Sequence, residues 1–303
     1  MIGILGAGSL GRLWAASLPA GQAGYLPRPG TPARALSYQF TPFDGPERTI
    51  SLPAIPAENV TLLLVTTKAY DTLTALGAVM AAGVPPATPI VLFQNGLGSQ
   101  QAVADAWPER PILAASTTEG AYRPSPDSLV HAGRGDTWVG TLTAPGAGTL
   151  TKVVQQLAST GLSIHASDRI LDRLWDKLVV NAGINPFTAL LDCPNGDLPA
   201  SGLYQRLIDP LCGEIAALRQ ADTGEPVDSA AVRARIEAVI QSTARNTSSM
   251  RADMQQGRRT EIDVINGYLV RLGQRHGIPT PVNQTLTEQV QLRSPAPTAT
   301  GER

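Results

Sequence analysis

Cysteine is scarce in this chain: Cys193 and Cys212 are the two it has. They are too few for a disulfide framework in a chain of 303 residues, and neither stands at metal-type spacing from a histidine. A reducing, cytoplasmic compartment and no metal site are the expectation. Nor does charge of one sign prevail. Lys plus Arg number 24 against 25 Asp plus Glu, which removes the electrostatic reason for a nucleic-acid or membrane partner and favours a small molecule. No run approaches the roughly eighteen consecutive apolar residues that a membrane helix needs. The apolar stretch Ile2 to Leu18 leads into Ala16-Ser17-Leu18-Pro19-Ala20, which imitates a signal-peptidase site. No basic residue precedes it, and Gly3, Gly6, Gly8, Gly11 and Arg12 interrupt it, so export is not expected. There is no internal repeat.

What is present falls into two textures, and the length exceeds that at which one hydrophobic core usually stops growing. In the first half, short apolar runs alternate with helix-like segments, the pattern of a parallel sheet covered on both faces. Ile2–Leu5, Thr61–Val65, Pro89–Phe93 and Ile112–Ala115 read as buried strands. Residues 128–142 suggest a hairpin or meander, and 143–148 a loop. From Asp168 onward strand-like runs vanish, and Ile170, Leu171, Leu174, Leu178 and Val179 recur at helical spacing. Residues 201–222, 228–245 and 261–276 are further helical candidates, the last stopped by Gly277 and Pro279. The expected architecture is α/β: a Rossmann-type dinucleotide-binding domain over 1–165, then an all-helical domain over 166–293. The tail 294–303 has no apolar face to bury and is expected to be disordered.

Gly6-Ala7-Gly8-Ser9-Leu10-Gly11 is a G-x-G-x-x-G between a strand and a helical segment, the context in which that motif binds a dinucleotide. Gly6 permits the tight turn, Gly8 lets backbone approach a pyrophosphate, and Gly11 allows close helix-to-strand packing. The anion would rest on the helix N-terminus. An NAD-selective site places Asp or Glu about 20 residues further on. Here that window is Tyr25-Leu26-Pro27-Arg28-Pro29-Gly30, with no acid before Asp44. Arg28 stands where a cation would pair with a 2′-phosphate and Arg34 could assist, so NADP(H) is the expected cofactor. Pro27, Pro29 and Pro32 crowd Arg28, and a solvated loop arginine is the alternative.

Lys177, Asn181 and Asn185 are spaced by four, which on a continuous helix sets them on one face. Such a row presents a proton donor and two amides to an oxygenated substrate, or else is a solvated face. Pro186 predicts a bend at Asn185.

Lys177-Leu-Val-Val-Asn181-Ala-Gly-Ile-Asn185-Pro186, with Cys193-Pro-Asn195-Gly196 after it, resembles the signature of ketopantoate reductases. Asn246-Thr-Ser248-Ser249-Met250 followed by Thr260-Glu261-Ile-Asp263-Val-Ile-Asn266-Gly267 resembles that family's second diagnostic stretch. Thr67-Lys68-Ala69-Tyr70 and Gln94-Asn95-Gly96-Leu97-Gly98 agree with it in the first half, so the likeness runs to about residue 293. The resemblance implies that Lys177 protonates a ketone oxygen as hydride arrives from NADPH, and that Glu261 helps hold the cofactor and the site's charge balance. It places Lys68, Asn95 and Ala121 along the cofactor, and Asn181, Asn185, Asn195 and Ser249 on a 2-oxo acid substrate. Read singly, Lys68 is a strand-end lysine, Asn95-Gly96 a turn dipeptide and Ser248-Ser249 a helix cap. The implied reaction is reduction of 2-dehydropantoate to pantoate, a step of pantothenate synthesis. The alternatives are a related enzyme acting on another 2-oxo or β-hydroxy acid and a non-catalytic NADPH sensor. His131, His165 and His276 read as isolated and structural, against a His-Asp mechanism. Glu119 and Tyr122 receive no role, and the oligomeric state, a homodimer included, is left open.

Overall fold

A computed structural model describes residues 1–295, so most of the tail 294–303 lies outside the described residues. The described residues form two compact units: residues 1–94 with 99–174, and residues 95–98 with those from 175 onward.

The first unit opens with β1 (Ile2–Leu5), α1 (Ser9–Ser17) and β2 (Ala23–Tyr25), continues through β3 (Leu36–Thr41), β4 (Arg48–Leu52), β5 (Leu62–Val65), α2 (Thr72–Ala81), β6 (Ile90–Leu92) and α3 (Ser99–Ala106), and then runs β7 (Ile112–Thr117), β8 (Gly120–Tyr122), β9 (Ser128–Gly133), β10 (Asp136–Thr141), α4 (Ala144–Ala147), α5 (Leu150–Ala158) and β11 (Ser163–Ala166). Seven strands make one sheet in the order β11-β10-β7-β6-β5-β1-β2. From β7 to β2 all neighbours are parallel. Their residues are buried on both faces, which is why β5 reads Leu-Leu-Leu-Val without alternation. The chain leaves β1 for β2 on one side and returns to β5 on the other. That reversal is the topological switch point at which α/β sheets bind ligands.

A second sheet, β4-β3-β9-β8, was not foreseen. It packs over α1: Tyr38 Oη donates to the Arg12 carbonyl at 2.8 Å and Arg48 to that of Ala16 at 2.9 Å. Its existence corrects the expected hairpin over 128–142. β9 pairs with β3 and β8 in the small sheet, whereas β10 crosses to the large one and pairs with β7 and β11. Both strands are anchored by burial: Thr137 and Val139 of β10 are fully enclosed in the large sheet, and Leu129 of β9 is fully enclosed in the small one. Residues 144–147 form a helical turn where a plain loop was expected.

The second unit has helices and connecting loops and no strand among its described residues. Helix α6 (Ile170–Leu191) enters it at Trp175 and is followed by α7 (Gly202–Thr223), α8 (Ser229–Ser242), α9 (Ser249–Gln255), α10 (Asn266–His276) and α11 (Pro281–Arg293). Pro186 does not bend the chain out of helix at Asn185; α6 continues five residues beyond it, to Leu191. The candidate helix over 261–276 is shorter than expected. Residues 262–264 are a 3₁₀ turn, and Ile265, at φ −104° and ψ −94°, separates them from α10. No helix among the described residues is long and apolar enough to cross a membrane.

Candidate active site

The parallel register of β2, β1 and β5 brings their C-terminal ends together, and with them the glycine loop, the Arg28 turn and the Thr66–Lys68 segment. Gly6 has φ +100°, and a Cβ there would meet Thr67 N at 2.6 Å, so the turn requires glycine. Gly11 lies against the Gly6 carbonyl and Thr66 Oγ1, the close approach its position demands. Around Gly8 there is nothing within 4 Å of a notional Cβ. It is the N-cap of α1 and offers no capping side chain to the helix's first N-H groups. Open space beside uncapped donors at a helix N-terminus fits a pyrophosphate. Ala7, Ser9 and Leu10 complete the loop.

Arg28 is exposed in a turn closed by Thr31, whose hydroxyl donates to the Arg28 carbonyl at 2.6 Å. That leaves its guanidinium at the surface past β2, with the prolines shaping the turn rather than covering it. Lys68 is half-buried after β5, its carbonyl taking the Thr72 hydroxyl at 3.0 Å. Ala121 sits in β8 of the small sheet, half-buried opposite His131.

Arg12 was missed. It is 8% exposed, donates to the Ala7 carbonyl at 3.1 Å and to that of Pro126 at 2.6 Å, and stacks over Tyr38. Burial lowers its pKa. It ties the glycine loop to the β8–β9 connection. A residue directly after the motif was legible as charged; its burial was not. Glu119 also finds a role, gripping His131 at 2.6 Å with both side chains buried, so His131 is not isolated. His165 likewise pairs with Asp136 at 2.9 Å.

In the second unit α6 presents Lys177, Asn181 and Asn185 along one face, as the spacing predicts. Glu261 is 5% exposed and accepts a hydrogen bond from Asn95 Nδ2 at 3.1 Å. The loop bearing Asn95 is fastened to the Glu261 segment: Leu97 N donates to the Val264 carbonyl at 3.1 Å. Gly96, at φ +75°, lies so close to that carbonyl that no Cβ fits. Lys177, Glu261 and Asn95 therefore meet in one cluster. Desolvation pulls the Lys177 ammonium from the ordinary lysine value down to about 8, while the Glu261 carboxylate holds it up.

The other amides differ. Asn195 is buried, its Nδ2 donating to Thr243 Oγ1 at 2.9 Å and its Oδ1 left without a partner among the described residues. Ser249 is exposed at the first turn of α9. Its neighbour Ser248 is the cap: its Oγ accepts from Arg251 N at 3.1 Å and shares a 2.7 Å hydrogen bond with Thr188 of α6. No group of three or more His, Cys, Asp or Glu among the described residues could hold a metal ion, and both cysteines are free.

A doubly wound sheet with an open glycine loop, and a helical unit carrying a desolvated lysine beside a carboxylate, define the class of dinucleotide-dependent oxidoreductases. The family profiles "Ketopantoate reductase PanE/ApbA" and "Ketopantoate reductase PanE/ApbA C terminal" match residues 2–144 and 169–294. The chain is 34% identical over 293 residues to the 2-dehydropantoate 2-reductase of Vibrio cholerae, covering 95% of each protein. Among solved structures, a ketopantoate reductase family protein of Ralstonia eutropha superposes with a TM-score of 0.80 at 25% identity, covering 96% of this chain and 97% of that one. A D-mandelate dehydrogenase bound to NADH and anilino(oxo)acetate shares the fold, with a TM-score of 0.84 at 24% identity over 96% of this chain and 97% of its own. The chain belongs to the ketopantoate reductase family.

Proposed function

We propose that this protein reduces 2-dehydropantoate to pantoate with NADPH, the first unit, together with Asn95 of the second, supplying the cofactor contacts and the second unit the substrate contacts. The observation that carries the chemistry is the Lys177 ammonium, desolvated to a pKa of about 8 on the helix that also bears Asn181 and Asn185. When bound, NADPH would supply the hydride that the carbonyl carbon accepts. Lys177 gives its proton to the carbonyl oxygen, so that C=O becomes CH–OH, and its charge stabilises that oxygen as negative charge develops. Glu261, oriented by Asn95, keeps the lysine protonated near neutral pH. Asn181 and Asn185 supply amides for the substrate's hydroxyl and carboxylate, with Asn195 and Ser249 as outer contacts. Gly6 to Gly11, Arg28, Lys68, Asn95 and Ala121 are assigned to the cofactor. Both cysteines are free, which supports a reducing, cytoplasmic place for the protein.

Steady-state turnover of 2-dehydropantoate against a panel of 2-oxo acids, phenylglyoxylate among them, tests the substrate. The highest kcat/KM is expected for 2-dehydropantoate, and a preference of tenfold or more for an aromatic 2-oxo acid would reassign the enzyme to the mandelate type. Arg28 makes NADPH the preferred cofactor, since a guanidinium pairs with phosphate and no carboxylate awaits a 2′-hydroxyl. Arg28→Ala is expected to narrow the NADPH:NADH ratio of kcat/KM by about tenfold, one charge-assisted pair's worth; an unmodified enzyme that uses both equally would refute the assignment.

Asn181→Ala is expected to raise KM or lower kcat by about tenfold or more while Tm stays within about 2 °C, because its side chain is only partly buried on the helix face. Ser249→Ala should act in the same direction and more weakly. Either variant losing Tm with its kinetics intact is structural.

A further inference from the structure

Helix α6 carries a proline at the position that should hydrogen-bond the Ala182 carbonyl. In an α-helix the N-H of residue i+4 donates to the carbonyl of residue i, and Pro186 has no N-H to give. Ala182 lies directly after Asn181, and Pro186 directly after Asn185, so the gap falls in the turn that sets one amide against the other.

The missing donor comes from another helix. Asn266, fully buried at the start of α10, donates from Nδ2 to the Ala182 carbonyl at 3.3 Å. The same Nδ2 group donates to Asn283 Oδ1 at 3.0 Å, and Asn283 Nδ2 donates to Glu214 Oε2 at 2.7 Å. Glu214 also accepts the backbone N-H groups of Val282 and Asn283, at 2.7 and 3.0 Å, where α11 begins. The chain of bonds has a direction. An ionised carboxylate can only accept, so Glu214 turns the Asn283 amide with its NH₂ inward and its oxygen toward Asn266. Asn266 must then point its NH₂ at both Asn283 and Ala182. Its own Oδ1 is left buried without a partner among the described residues. Turning that amide over would set an oxygen against two oxygens, so the orphan marks how firmly the donor is aimed at α6.

We propose that Glu214, Asn283 and Asn266 form a positioning relay that replaces the backbone hydrogen bond lost to Pro186 and thereby holds Asn181 and Asn185 in their relative setting on α6. The positioning half rests on the reading of those two amides as substrate ligands; the replacement half does not.

The test is a double-mutant cycle between Pro186 and Asn266, since Pro186→Ala restores a backbone N-H to the helix and makes the external donor redundant. In the parent, N266L is expected to lower Tm by several degrees and to raise KM for 2-dehydropantoate about tenfold, with the Kd for NADPH unchanged. In the P186A background the same substitution should leave KM within about twofold and cost less Tm. Equal losses in both backgrounds overturn the relay. Should N266L fail to accumulate as folded protein, P186A/N266L decides: recovery of folded enzyme supports the relay, and failure of both overturns it. Coupling in Tm with an unmoved KM in N266L overturns the positioning half. The substrate reading itself fails separately, through an Asn181→Ala enzyme with parental kinetics.

Discussion

Lys177→Ala is expected to lower kcat by about 10²- to 10⁴-fold, the range a positioned general acid contributes, while the Kd for NADPH stays near the parental value. A ketone accepting hydride develops negative charge on oxygen, and the groups able to give it a proton near neutral pH are few in this chain. His131 is buried against Glu119, His165 is paired with Asp136, and His276, read from the sequence as isolated, lies 3.9 Å from Asp222; Lys177 is the acid on the helix that also carries Asn181 and Asn185. Its pKa carries a second consequence. Desolvation brings it to about 8, and the protonated form is the active one, so kcat should be level below pH 8 and fall above it, well before an ordinary lysine would titrate. Glu261 opposes the desolvation; Glu261→Gln should therefore shift the falling limb to lower pH. Lysine occurs only at positions 68, 152 and 177, so ¹³C-methylated lysine signals can be assigned singly and the Lys177 titration read apart from turnover. A Lys177→Ala enzyme keeping most of its kcat would transfer the proton step to water or another residue, and a limb unmoved in Glu261→Gln would remove Glu261 from it.

The parts legible in the chain before its structure were those written in local spacing. G-x-G-x-x-G specifies a turn, an open approach and a close packing within six residues. Lys177, Asn181 and Asn185 declare a common face by their interval alone. Proline misled because its rule is local and its remedy is not: the donor for Ala182 lies 84 residues away, at Asn266. Distance in sequence also hid the small sheet. β3 pairs in parallel with β9 across more than eighty residues, so the two local pairs β3–β4 and β8–β9 join into one sheet through a contact that no local spacing signals. The grip of Glu119 on His131 goes with the β8–β9 pairing, which sets the two residues side by side at the end of β8. Glu261 was assigned by resemblance, and what the structure adds is the cause of its effect: the Asn95 loop is clamped to the 261–264 turn through Gly96 and Leu97, holding the carboxylate where its field reaches Lys177.

Two glycines of the same loop should respond in opposite ways to an added side chain. A Cβ at Gly8 meets nothing within 4 Å, and Gly8 has φ −77°, which any residue can adopt. Gly8→Val should therefore fold with a Tm within about 2 °C of the parent, the range of a substitution that disturbs no packing. Its side chain would stand in the space assigned to the pyrophosphate, above the α1 N-terminus, so NADPH affinity should fall by about 100-fold or more, the loss of two or more charge-assisted hydrogen bonds. Gly11 faces inward. A Cβ there would press on the Gly6 carbonyl and lie 2.5 Å from Thr66 Oγ1. That carbonyl cannot retreat freely, because it accepts from Thr66 Oγ1 at 2.6 Å and from Gly8 N at 2.8 Å. Gly11→Ala must push α1 away from β1 and β5, an overpacking of about 1–3 kcal/mol, and Tm should drop by roughly 3–10 °C. Thermal melts without cofactor and fluorescence titration with NADPH separate the two effects. Gly8→Val losing stability, or binding NADPH at parental affinity, would place the pyrophosphate elsewhere than above this loop.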